Sequence, residues 1–210
     1  MKNALIVTAH PYVQSFNFAL RSEMLSTLRT SGWSSSMSDL YQQGFIPLLG
    51  PDDFTQFDPE IGFNLAKQQV QATKSKSYHP EIIAEQDKLR QADLVILQFP
   101  LWWGGYPAIL KGWIERVISR GFAYGENFEL TNKKVMLSVT TGGASNKEEE
   151  KYYADKVDSL AADIFEYAKM EIQPPFICHG PTFLNPQQRA QSLNNIAKHL
   201  GEVLIASSAQ

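Results

Sequence analysis

The 210-residue chain is 43% hydrophobic and 20% charged, which fits one globular domain long enough to bury a large core. Its 19 Lys and Arg against 22 Asp and Glu give a formal net charge of −3 and leave no basic footprint for nucleic acid. Cys178 is the only cysteine, which excludes an intrachain disulfide and a cysteine-rich metal site; no metal ligand set is expected.

The opening MKNALIVTAHP holds a short apolar run that stops at His10 and Pro11, too short for an integral membrane segment, and residues 3–9 read as a first strand in a cytoplasmic protein. A loop over 10–14 follows. Ser15 is placed to cap a helix carried by Phe16, Leu20, Met24, Leu25 and Leu28 and ending near Gly32. Residues 33–40 alternate and form a plausible second strand despite their serines. From 41 to 78 periodicity is poor and prolines are frequent, and so long a connection is expected to be functional or a docking surface. Helical spacing returns over 81–92 through Ile82, Ile83 and Leu89. Residues 93–99, LVILQF after Asp93, are mostly apolar and partly β-branched over a strand's length, as in a strand covered on both faces. Two tryptophans and two glycines come next, and then a helix opened by Pro107 and carried by Ile109, Leu110, Trp113, Ile114, Val117 and Ile118. FAYGENFEL reads as a surface loop, 134–140 as the fourth strand, TTGG as its end and 146–168 as an amphipathic helix. A fifth strand over 170–179 is interrupted by Pro174 and Pro175, which points to an edge position or a pre-strand turn. Asn185 and Pro186 start a last helix to about 205.

Strand, loop and helix in that order place each loop at the carboxyl end of a parallel sheet, where open α/β folds bind ligands. HPYVQSFN ends one strand and opens a helix, so its amides and the helix dipole suit a phosphate; a plain capped helix with Phe16 as its staple is the competing reading. Pro100 to Gly105 and Thr140 to Gly143 offer a flat apolar wall and close backbone donors, although adjacent tryptophans also suit core packing or a dimer surface.

PLWWGGYPAILKGWIERV, with the preceding PEIIAEQDKLRQADLVILQF, SFN, SDLY, RGFAYG and TTGG, resembles the NAD(P)H:quinone oxidoreductase family over roughly the first two thirds of the chain. The resemblance implies a single flavodoxin-like, three-layer α/β domain: a five-stranded parallel sheet of order 2-1-3-4-5 with helices on both faces. It implies FAD, with FMN as the alternative, reduced by NADH or NADPH, and two-electron ping-pong transfer to a quinone or similar planar electrophile. Cofactor contacts carry over to His10, Ser15, Phe16 and Asn17, to Pro100, Leu101, Trp102, Trp103 and Gly104, and to Thr140, Thr141, Gly142 and Gly143. Relatives lend aromatic residues of the RGFAYG segment to a two-fold partner, which makes Tyr124 and Phe128 substrate-lid candidates in a homodimer with shared sites. Where relatives carry a Tyr and a His after TTGG this chain has ASNKEEEKYY, in which Tyr152 or Tyr153 could occupy the tyrosine's place and no histidine matches; these tyrosines and, near the end of the fifth strand, His179 are the catalytic candidates, and His79 and His199 rank below them. An FMN-dependent azo or nitro reductase, or a flavoprotein regulatory subunit of a potassium efflux system, are the alternatives.

Overall fold

The computed structural model describes residues 1–62 and 64–208. Its centre is strand β3, Leu94–Pro100, every residue of which is buried, flanked by β1, Asn3–Thr8, and by the equally buried β4, Lys134–Thr141. All ladders between the sheet's strands are parallel, and with β2, Ser34–Asp39, and β5, Glu171–Ile172, the order is β2-β1-β3-β4-β5. Side chains alternate strictly between two cores, as the strand period of two requires. Leu5, Val7, Val95, Leu97, Phe99, Val135, Leu137 and Val139 face one of them, and Ala4, Ile6, Leu94, Ile96 and Met136 face the other. The first core is closed by α3, Pro80–Gln91, α4, Ala108–Val117, and α5, Lys147–Ala161; the second by α1, Phe16–Thr30, and α6, Pro186–Ser208. These are the three layers expected. The serines of β2 fit because it is an edge strand with one half-exposed side.

Two expectations need refinement. The fifth strand is two short pieces, β5 Glu171–Ile172 and β6 Phe176–His179, each pairing with β4, with Pro174 and Pro175 between them, since neither proline can donate to the ladder. The connection over 41–78 contains an unforeseen helix, α2, Leu65–Ser75. Its buried residues are Gln68, Gln69 and Ala72, so no apolar stripe marks it; Gln68 donates to the Asp58 and Gly62 carbonyls at 2.7 and 3.0 Å, and Gln69 accepts from the Arg120 N–H at 2.9 Å.

The same connection is fastened to α4. Arg116 pairs with Asp53 at 2.8 Å and with Glu81 at 2.8 Å, and donates to the Ile46 carbonyl. Gly112 makes the approach possible, because a Cβ there would stand 2.1 Å from the Pro47 carbonyl oxygen. His79 caps α3, its ring accepting from Glu81 N–H at 3.3 Å, and His199 contacts the Pro174 carbonyl at 2.9 Å, so both serve the fold.

Candidate functional site

A cleft of about 590 Å³ opens where β1, β3 and β4 end. One wall is the N-terminus of α1. No side chain caps that helix: Ser15, in the cap position, leaves its hydroxyl buried without a partner while lining the cleft. Uncapped amides, the positive end of the helix dipole and an orphaned hydroxyl are groups whose chemistry suits an anion. Asn17 is buried two residues on. Its amide donates to Thr140 Oγ1 at 3.1 Å and accepts from Gln98 Nε2 at 2.8 Å, so it locks α1 to β3 and β4 and fixes the distance between the phosphate-suited end of the cleft and the TTGG end.

The second wall is the turn after β3. Gly105 N–H donates to the Trp102 carbonyl at 3.1 Å, and both residues between have positive φ, 51° at Trp103 and 70° at Gly104, the signs of a type I′ turn. Left-handed backbone costs a non-glycine residue ~1–2 kcal/mol. The result here is a tight turn that holds Trp103 fully out of the core on the cleft rim, with Trp102 5.8 Å from the His10 ring. His10 Nδ1 accepts the Tyr12 N–H at 3.1 Å, and burial pushes its imidazole below the ordinary value, leaving a neutral ring whose Nε2–H is free to donate.

The third wall is the end of β4. A Cβ on Gly142 would meet nothing within 4 Å, which leaves a flat, open place above the backbone; positive φ falls on the next residue, Gly143, at 147°. Aromatic sides, open glycine backbone and an anion-ready helix end are what a nucleotide-linked planar ring requires.

The family model for the flavodoxin-like fold matches residues 2–203. Rat NAD(P)H dehydrogenase [quinone] 1 (Rattus norvegicus) is 36% identical over 217 residues, covering 97% of this chain and 78% of its own. The chain belongs to the NAD(P)H:quinone oxidoreductase family. Mouse ribosyldihydronicotinamide dehydrogenase [quinone] (Mus musculus) is 34% identical over 218 residues, covering 96% and 92%. Among solved structures, a protein from Klebsiella pneumoniae assigned as a quinone reductase superposes with a TM-score of 0.88 at 30% identity, over 97% of this chain and 85% of that one.

In this family member, the cleft brings together His10, Ser15, Phe16 and Asn17 with Pro100 to Trp103 and Thr140 to Gly142. Gly104 and Gly143 shape the turns beside it. Tyr153 and His179 stand behind Thr141, their rings 5.6 Å apart, whereas Tyr152 is exposed. Tyr124 and Phe128 do not line the cleft. Tyr124 meets Tyr167 with ring centres 5.0 Å apart and planes tilted by 50°, in a separate apolar groove that includes Leu49, Leu65 and Ile164, the last of these in a single π-helical turn, Ala162–Glu166. Phe128 lies under the Lys169 ammonium, 3.7 Å from its ring centre. Five lining residues went unnamed in the sequence reading: Tyr12, Gln14, Pro181, Thr182 and Arg189. Pro181 and Thr182 could have been found from position alone, as the loop after the last strand. Arg189 is a cation in the first turn of α6, where helices rarely place one. Among the described residues no cluster of His, Cys, Asp or Glu could hold a metal ion, and no helix is long and apolar enough to cross a membrane.

Proposed function

We propose that the cleft holds FAD and that the enzyme, a single flavin-binding domain working as a cytoplasmic homodimer, carries hydride from NADH or NADPH to a quinone or similarly flat electrophile. The orphaned Ser15 hydroxyl beside the uncapped start of α1 carries this reading, because a buried polar group without a partner costs ~1–3 kcal/mol unless a ligand supplies one. FAD is favoured over FMN because the cleft continues past α1 to Thr182 and Arg189; Arg189 donates from Nε to the Leu184 carbonyl at 3.1 Å and sets its guanidinium 5.8 Å from the Phe16 ring centre at the cleft wall, where it suits a second phosphate.

A bound flavin supplies the two-electron chemistry, accepting hydride from the nicotinamide and giving it to the acceptor in alternate half-reactions. The chain binds, orients and insulates. The Gly142 backbone gives the ring a flat seat, Trp102 and Trp103 exclude water from one side, and His10 contributes a neutral donor. The side that these walls leave open is where Tyr124 and Phe128 of a second subunit are proposed to close the substrate site.

The test is the cofactor itself. Purified protein is heated, and the released flavin is identified by chromatography and titrated back while NADH- and NADPH-dependent quinone reduction is followed. FAD with quinone turnover is expected. FMN alone would reassign the cofactor, and a protein that stays colourless after incubation with either flavin would overturn the reading.

A further inference from the structure

One layer behind the cleft, β4 and β6 end in register at Thr141 and His179. Thr141 Oγ1 lies 3.0 Å from His179 Nδ1, and the Gly143 N–H donates to the same oxygen at 3.3 Å. Thr141 is 6% exposed and lines the cleft; the half-buried imidazole does not. A hydroxyl has one hydrogen and two lone pairs. Gly143 occupies one lone pair, so the direction of the His179 contact decides what Thr141 can offer elsewhere. Where Nδ1 is bare, Thr141 gives it the hydrogen and keeps a lone pair for the cleft. Where Nδ1 carries a proton, it takes the second lone pair, and the hydroxyl hydrogen is left for the cleft.

We propose that His179 is a positioning residue that selects, through the Thr141 hydroxyl, whether this corner of the cleft presents a bound flavin with a hydrogen-bond acceptor or a donor. The proposal rests on the flavin reading above and deepens it. The titratable groups facing His179 are Glu150 and Tyr153, both on α5; β4 presents Thr141. Burial pushes the imidazole below its ordinary value of 6.5, against a smaller opposing pull from the Glu150 charge. The ring is therefore neutral at pH 7, and acid forces the donor state on Thr141. Changing which way a single hydroxyl bonds alters affinity by about threefold to tenfold.

Flavin affinity, from quenching of FAD and FMN fluorescence, is measured between pH 5 and 8 for the wild type, His179→Asn, Thr141→Val, Thr141→Ser and the His179→Asn/Thr141→Val double variant. His10 titrates in the same cleft, so the signal is the difference between variants at each pH. The wild type and Thr141→Ser should show an acid step that His179→Asn and Thr141→Val both lack, and adding His179→Asn to Thr141→Val should change nothing further. A step that survives either single substitution, or strictly additive effects, overturns the proposal. Imidazole titration by NMR on flavin-free protein supplies an independent reading: Thr141→Val should move the His179 midpoint, and an unmoved midpoint refutes the coupling. A wild type that binds no flavin at any pH sinks the functional reading instead, and the imidazole titration still decides the His179 contact.

Discussion

Replacing Gly112 by alanine should destabilise the protein, although alanine in a helix interior ordinarily gains about 1 kcal/mol over glycine. The new Cβ would lie 2.1 Å from the Pro47 carbonyl oxygen and 2.6 Å from the Pro47 Cα and Cβ, which is backbone and ring with no rotamer to escape into. Ordinary contact requires that segment to retreat by roughly 1 Å or more. It is not free to do so, because the neighbouring Ile46 carbonyl is held by Arg116, itself buried against Asp53. Overpacking costs ~1–3 kcal/mol, and loosening a buried ion pair adds to it, so after the propensity gain a net loss of ~1–3 kcal/mol is expected. Gly201, within α6, is the control: its Cβ would meet nothing within 4 Å, so Gly201→Ala should stabilise by up to ~1 kcal/mol. Urea unfolding followed by circular dichroism on flavin-free protein measures both. A Gly112→Ala protein as stable as the wild type, with Gly201→Ala behaving as stated, would refute the account of how the 41–62 segment is seated.

Gly142→Val should leave the domain folded, since its φ is ordinary and its Cβ meets no atom, yet weaken flavin binding by ~30-fold or more, by filling the seat; normal flavin occupancy would remove this loop from the site. Ser15→Ala deletes a hydroxyl that bonds nothing within the chain, so thermal stability without flavin should hold or rise while flavin affinity drops about tenfold, and calorimetry showing equal affinity would withdraw the phosphate assignment. Tyr124→Ala should keep flavin and lose quinone efficiency by ~5- to 150-fold, the worth of a buried aromatic contact, with turnover restored in mixtures with a Gly142→Val subunit. Unchanged kinetics, or no recovery despite proven subunit exchange, would leave Tyr124 as plain surface beside Tyr167.

The sheet was legible because its central strands are short, mostly apolar or alternating runs between punctuating Pro and Gly residues, and three loops that line the cleft were legible because each follows such a run. Helix α2 was not, since a helix that buries Gln68 and Gln69 satisfies itself through hydrogen bonds that hydrophobic periodicity does not register. Gly112 reads in sequence as a weak point in α4, and only the Pro47 carbonyl against it shows that it is a docking notch. At the site, Trp102 and Trp103 announced an aromatic wall, but nothing in the residues told that the turn would be left-handed. The Thr141–His179 contact depends on the β4–β6 register, which the two prolines before β6 obscured. Arg189 belongs to none of the motifs that the sequence reading rested on, and it joins the cleft through the packing of α6 on α1.

The split between β5 and β6 bears on how the protein behaves at high concentration. An open sheet has two outer strands whose unpaired amides and carbonyls can recruit another chain. Here one margin is β2, rich in serine and ending at Asp39, which is held by Arg21 at 2.9 Å; the other is two pieces of two and four residues with Pro174 and Pro175 between them. Neither margin presents a long, flat, apolar ribbon to template growth. Ile172 pairs with Val135 and Phe176 with Ser138, so the pieces lie in registers one residue apart; valines in place of the two prolines would restore two amides to this margin but leave a bulge that still interrupts it.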